Sequence, residues 1–199
     1  MRVTTLEEAL DLILIWAGRA DIVLPPRHDA EGVPPGLGLV VAVSDLLGDG
    51  AFTPNRAPLL TTQDRILRPE EMRPDRGDYV PFIIEAHGLY SLGFRPGLPQ
   101  RLFVSGDWVL ASDETVPPGW RTLPMTPEEA LINAVLTNGF FGLSARLAVR
   151  DEPDFDTVPA DCTKLVWRHD AMGKQWPGFW TDEARTRLHF GGFAQTLLR

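Results

Sequence analysis

Apolar residues recur at helical spacing near the start of the chain. In TTLEEALDLILIWAG, residues Leu6, Ala9, Leu10, Ile13, Leu14 and Ala17 fall on one face of a 3.6-residue repeat, which predicts an amphipathic helix. Thr5 and Glu8 have the T-x-x-E spacing of a capping box, and Gly18 supplies the stop. After the Pro-rich break LPPRHDAEGVPPG, the segment LGLVVAVSDLLG predicts a second, largely buried helix that starts from Pro34 and Pro35 and ends at Gly48. A strand over Leu39 to Val43 stays open as the alternative, because LVVAV is branched and too short for periodicity to decide. A third helix is marked by Thr126 as N-cap, Pro127 at the first helical position, Glu128 and Glu129 in the first turn, and Gly139 after its last residue.

Between the second and third helices the pattern changes to short apolar runs bounded by Gly, Pro and Asp. The pair LL before Thr61, then YVPFIIEAHGLYSLGF, QRLFVSG and DWVLAS read as strands, with RPEEM as one helical turn. KLVWR and RLHFGG read as two late strands, and DEPDFDTVPAD between the third helix and KLVWR as an acidic, Pro-broken loop. Helices at either end of a run of hairpin-linked strands imply an α+β domain with a largely antiparallel or mixed sheet packed by helices. The regular strand and helix alternation of a doubly wound parallel sheet is missing.

The stretch from Tyr79 to Phe94 raises a choice between chemistry and geometry. Alternation sends Val80, Phe82 and Ile84 to one face and Ile83 and Glu85 to the other, while Tyr90, Leu92 and Phe94 share a face after Gly88. Ala86, His87 and Gly88 then remain to reverse the chain, so a tight turn between antiparallel strands with Phe82, Ile84 and Leu92 buried accounts for them. Pro81 cannot donate a ladder hydrogen bond and belongs at the start of a strand or at an unpaired position. Glu85 has three readings: a carboxylate accepting turn N–H groups or an Arg, a binding contact with His87 at a cleft edge, or a general base. No Ser, Cys or second acid stands beside it at a recognisable spacing, so the residues assign no catalytic group.

The same stretch carries a family resemblance. LRPEEMRPDRGDYVPFIIEAHGLYSLGF resembles the core of the SUKH superfamily, which includes many bacterial toxin-immunity proteins. Pro69 and Glu70 match its Pro-Glu turn, Glu85 and Gly88 the ends of its Glu-Asn-Gln-Gly tetrad, and Tyr90 and Gly93 its following strand. Ala86 and His87 stand in place of the central Asn and Gln. The similarity extends over about 34–142, leaving 143–199 as a C-terminal extension of a single domain. It implies a SUKH-like α+β fold and a non-enzymatic binding protein, most concretely an immunity protein that neutralises a cognate toxin. A regulatory or scaffolding module of the same fold is the alternative, and a small hydrolase using Glu85 the third.

Charge and composition narrow the partners. The chain of 199 residues has 19 Lys plus Arg against 27 Asp plus Glu, a formal charge of −8, which disfavours direct binding to nucleic-acid phosphates and suits a partner with a basic surface. Asp151, Glu152, Asp154, Asp156 and Asp161 concentrate that charge in the acidic loop and are candidate docking residues; Trp176, in GKQWPGFWTDE, is the candidate exposed aromatic anchor. The four histidines are scattered without ligand spacing, so no metal and no cofactor is expected. Cys162 is the single cysteine and has no nucleophile signature around it. MRVTTLEEAL lacks a signal-peptide layout and no apolar run approaches the roughly 20 residues of a membrane span, so a cytoplasmic location is expected.

Overall fold

A computed structural model of the chain describes residues 3–49, 58–106, 119–154, 157–165 and 178–199. The strand expected over DWVLAS, together with Asp156, Trp176 and part of KLVWR, lies outside them. The first two elements are helices, α1 (Leu6–Trp16) and α2 (Leu37–Leu47), so the apolar run at Leu39 to Val43 is helical. Thr5 and Glu8 close the capping box on α1: the Glu8 N–H donates to Thr5 Oγ1 at 3.2 Å and the Thr5 N–H to Glu8 Oε2 at 3.1 Å.

A five-stranded antiparallel meander follows, in spatial order β1 (Arg65–Ile66), β2 (Val80–Ile84), β3 (Tyr90–Arg95), β4 (Leu98–Gly106) and β5 (Trp120–Thr122). Leu59 and Leu60 form a bend rather than the expected strand, because their N–H groups both donate to Asp49 Oδ2, at 3.0 and 2.7 Å, instead of to a neighbouring strand. Pro81 stands opposite Gly93, and the register shifts between Pro81 and Ile83. A bulge at this point absorbs the missing donor. Phe82 and Leu92 are buried as expected, whereas Ile84, paired with Arg65 at the short β1, is only half-buried.

Helix α3 (Pro127–Ser144) then runs through the middle of the molecule, packed against α1, α2, β3 and β4. Its start has the expected Thr126 cap and Glu129 capping box. Its end lies beyond Gly139, which was expected to stop it. A Cβ at Gly139 would overlap the Ile13 side chain of α1, so this glycine serves close approach of two helices and not termination. Because nearly every side of α3 meets another element, it buries residues all round, including Asn133 and Asn138.

A second five-stranded antiparallel sheet closes the chain. Its order is β6 (Ala148–Asp151), β10 (Gln195–Leu198), β9 (Arg187–Phe190), β8 (Phe179–Thr181) and β7 (Thr163–Lys164), and β10 packs on α3. One continuous apolar cluster joins side chains of both sheets and all three helices, from Leu6 through Phe82 and Phe140 to Leu197. The fold is therefore α+β, with two antiparallel sheets packed by helices. Among the described residues no helix is long and apolar enough to cross a membrane.

Candidate functional site

Residues 59–64, which lead into β1, are held by two buried polar side chains. Asp49 fixes Leu59 and Leu60 as described, and Asn138 of α3 fixes the residues that follow. Asn138 Oδ1 accepts from the Gln63 and Asp64 N–H groups, both at 2.7 Å, and its Nδ2 donates to the carbonyls of Leu60 at 2.8 Å and Asp64 at 3.0 Å. All four hydrogen-bonding positions of this amide are used on one short stretch of backbone. The result is a rigid seat for Asp64. Its residue is 7% exposed, and its carboxyl has no hydrogen-bond or ion-pair partner among the described residues. Burial, reinforced by the negative charge of Glu85, pushes the Asp64 carboxyl up to about 7.

Glu85 meets Asp64 from the turn between β2 and β3. The turn closes through the Glu85 N–H donating to the Tyr90 carbonyl at 3.1 Å and the Gly88 N–H donating to the Glu85 carbonyl at 2.8 Å. Gly88 adopts φ +70°, the left-handed conformation that a side chain would disfavour. The Glu85 carboxylate then braces the turn from inside: Oε2 accepts from the N–H groups of His87 at 2.9 Å and Leu89 at 3.2 Å, while Oε1 lies 2.8 Å from His87 Nδ1. Burial alone would raise this carboxyl, but hydrogen bonds from the His87 ring and the two turn N–H groups outweigh it and hold it below its ordinary value. Glu85 and His87 thus do form a pair, and the pair is part of the turn.

These two carboxyls, next to the paired Arg65 and Ile84 of β1 and β2, are driven in opposite directions, Glu85 toward the charged form and Asp64 toward the neutral one. They share a cleft of about 230 Å³. Ile83, Tyr90 and Leu92 form its sheet wall, and Ala130, Ala134, Thr137 and Phe141 its helix wall. Phe190 and Phe193, from the end of β9 and the turn after it, supply an aromatic side. Phe141 and Phe193 meet edge to face at 4.9 Å between centroids, and Phe190 and Phe193 stack at 5.5 Å. Leu89 and Phe193 remain 56% and 51% exposed, which gives the cleft an apolar rim. Burial, followed by the charges of Asp64 and Glu85, raises the Tyr90 phenol well above its ordinary range, so it stays neutral.

The acidic segment is less uniformly open than its composition suggests. Asp151 ends β6 and is exposed, accepting from Gln195 Nε2 at 3.0 Å. Glu152 turns inward: Oε1 accepts from Arg150 Nη2 and from Thr196 Oγ1, each at 2.7 Å. Asp154 is exposed and accepts from Thr157 Oγ1 at 2.8 Å, and Asp161 pairs with Arg187 at 2.9 Å. Glu152 and Asp161 therefore have an arginine partner, and among the described residues of the segment none lines the cleft that holds Glu85 and His87. No group of three or more His, Cys, Asp or Glu side chains suited to holding a metal occurs among the described residues.

Asp64 and Asn138 were not distinguished by sequence reasoning, and Tyr90 was read only as a strand residue. One signal was present for Asp64: in QDRI, alternation puts it on the same face as Ile66, and both are buried while Arg65 between them is exposed. Asn138 could have been flagged as an amide within the apolar run LINAVLTNGFFGL. No family model, no curated protein and no solved structure matches the chain.

Proposed function

We propose that the protein acts by binding another protein, with the cleft between β2, β3 and α3 as its recognition site, and that it does so in the cytoplasm as an immunity protein holding a toxin domain inactive. The observation that carries the binding reading is the cleft itself, apolar on three sides, rimmed by exposed Leu89 and Phe193 and bearing two carboxyls on a rigid seat. Recognition sites have this composition, an apolar pocket with a few fixed polar groups. Glu85 directs three of its roughly four acceptor positions at the turn, which weighs against its acting as a free general base. The toxin role rests on the SUKH resemblance around Pro69, Glu70, Glu85 and Gly88, and a net charge of −8 suits a basic toxin surface. Sequencing the adjacent genes for a toxin domain and co-expressing the protein with it tests this. Growth should be restored by the native protein and lost with Leu89→Asp plus Phe193→Asp; no rescue and no complex would refute the immunity role.

One observation favours a second reading, a small hydrolase. Neighbouring carboxyls whose ionisation is pushed apart are how acid and base roles are divided in many active sites, and Asp64 at about 7 beside ionised Glu85 has that relationship. In that case Asp64 would donate the proton and Glu85 would stabilise charge. Turnover in a broad ester and glycoside panel, abolished by Asp64→Asn, would establish it; an inactive native protein would remove it.

A further inference from the structure

The Asp64 carboxyl faces an apolar cleft and has no hydrogen-bond or ion-pair partner among the described residues. Burying a carboxyl without a partner costs free energy, and a group kept in such a position is suited to an incoming donor. The donor is limited by what faces it. Glu85 contributes a negative charge on the same side, Tyr90 a neutral phenol, and His87 stands at the mouth with its side chain 73% exposed. Helix α3 and the β9 end contribute Ala, Thr and Phe side chains to the lining and no titratable group. No lysine or arginine is among the residues that line the cleft.

We infer that the cleft receives one basic side chain, an arginine or a lysine, presented by the protein partner, with its charged head against Asp64 and Glu85 and its apolar stem along the phenylalanine wall. The inference rests on the binding reading above and specifies what is bound. Three properties of the cleft select this occupant. One end carries two carboxyls and no lysine or arginine, so a neutral apolar side chain would leave Asp64 unsatisfied and an acidic one would meet repulsion. Its walls are apolar, which suits a stem of methylene groups below a charged head. Its phenylalanine rings can hold a cation against their faces, a guanidinium especially. A volume of about 230 Å³ equals roughly eight waters at ~30 Å³ each, the scale of one long side chain and too small for a folded segment.

Proton linkage gives the occupant a signature. A cation binds the ionised form of Asp64, so binding expels a proton from any fraction still protonated, and affinity rises with pH across the region of about 7. From the ionised fractions at pH 6 and pH 8, affinity should rise about tenfold, and less if Glu85 alone holds the head.

The test uses the full chain and blocked tripeptides, acetyl-Gly-Arg-Gly-amide, its lysine analogue and its neutral citrulline analogue, titrated by chemical-shift perturbation and by calorimetry in two buffers of different ionisation enthalpy. The arginine or lysine peptide should shift signals of Ile83, Leu92 and Ala134, bind about tenfold or more tightly than the citrulline peptide, and release protons at pH 7. Asp64→Asn should abolish the proton release and the pH dependence, whereas His87→Gln should leave both. Equal binding of arginine and citrulline peptides, or a pH dependence lost with His87→Gln and kept with Asp64→Asn, would overturn the inference. Hexylamine binding more than about tenfold tighter than either basic peptide would also overturn it, by making a free amine the occupant. Failure of this inference is separable from failure of the binding reading. A toxin complex that forms unaltered with Asp64→Asn sinks the inference alone, and basic peptides that bind when no toxin complex exists sink the immunity role alone.

Discussion

Asp64→Asn should make the stability of this protein independent of a large pH-linked penalty. In the unfolded chain Asp64 ionises at its ordinary 3.8, and in the folded protein at about 7, so between those values the folded state holds one more proton than the unfolded one. The protonated, buried carboxyl is therefore tolerated below 3.8, and stability drains away as pH rises until ionisation is complete above 7. The shift of about 3 pH units corresponds to about 4 kcal/mol at 1.36 kcal/mol per unit, of which about 3 kcal/mol falls between pH 5 and pH 8. Asparagine has nearly the same shape and no charge, so it keeps any cost of an unpaired buried polar group but not the pH term.

His189 acts in the opposite sense. Burial lowers its pKa below 6.5 against the opposing charge of Glu152, so its contribution improves as pH rises toward 6.5. The quantity to measure is thus the native minus variant difference, in which His189 and every other unaltered group cancel. Guanidinium unfolding followed by tryptophan fluorescence at pH 5, 6, 7 and 8 gives that difference. The variant should gain on the native protein steadily as pH rises. A difference that stays flat to within about 0.5 kcal/mol would mean that water or rearrangement relieves the carboxyl, and the account of the site would fail.

Asn138→Ala removes four hydrogen bonds and strands backbone groups of Leu60, Gln63 and Asp64, so urea unfolding should report a loss of about 3–5 kcal/mol and the Asp64 seat should loosen. Gly139→Ala should cost about 1–3 kcal/mol despite the better helix propensity of alanine, and Ile13→Val in the same chain should restore part of it in the same assay. Replacing Asp151, Asp154 and Asp156 with Asn should slow association with a basic toxin domain and flatten its salt dependence in stopped-flow measurements, with little change in folding stability; an unchanged on-rate reduces the segment to a solvated loop. Elemental analysis of the native protein should find no stoichiometric transition metal, and one zinc per chain would contradict the reading of its histidines.

Local signals determined a large share of this fold. The starts of α1 and α3 follow from Thr5, Glu8, Thr126, Pro127 and Glu129, because a cap is a contact between residues three apart and needs nothing distant. The turn at Ala86 to Gly88 was legible for the same reason, since one glycine between two apolar runs specifies a reversal. Where the partner was distant, the reading failed or fell silent. Gly139 resembles a helix stop until Ile13, far away in the chain, is seen packed against it. Strands β1, β5, β6, β8 and β10 went unrecognised because runs of two to four residues acquire strand character only from the neighbours they pair with.

The candidate site divides the same way. Glu85 and His87 attracted notice by standing inside an apolar run, and their mutual contact is local. Asp64 is an ordinary aspartate in the sequence. What makes it unusual is that Asn138, 74 residues later, fixes its backbone, and that α3 and Phe190 and Phe193 line the cleft it faces and leave it largely buried. Sequence determines which side chains can ionise, cap or turn, through interactions spanning a few residues; the ionisation of a given carboxyl depends on solvent and charge within a few ångströms, and only the tertiary structure decides what occupies that space.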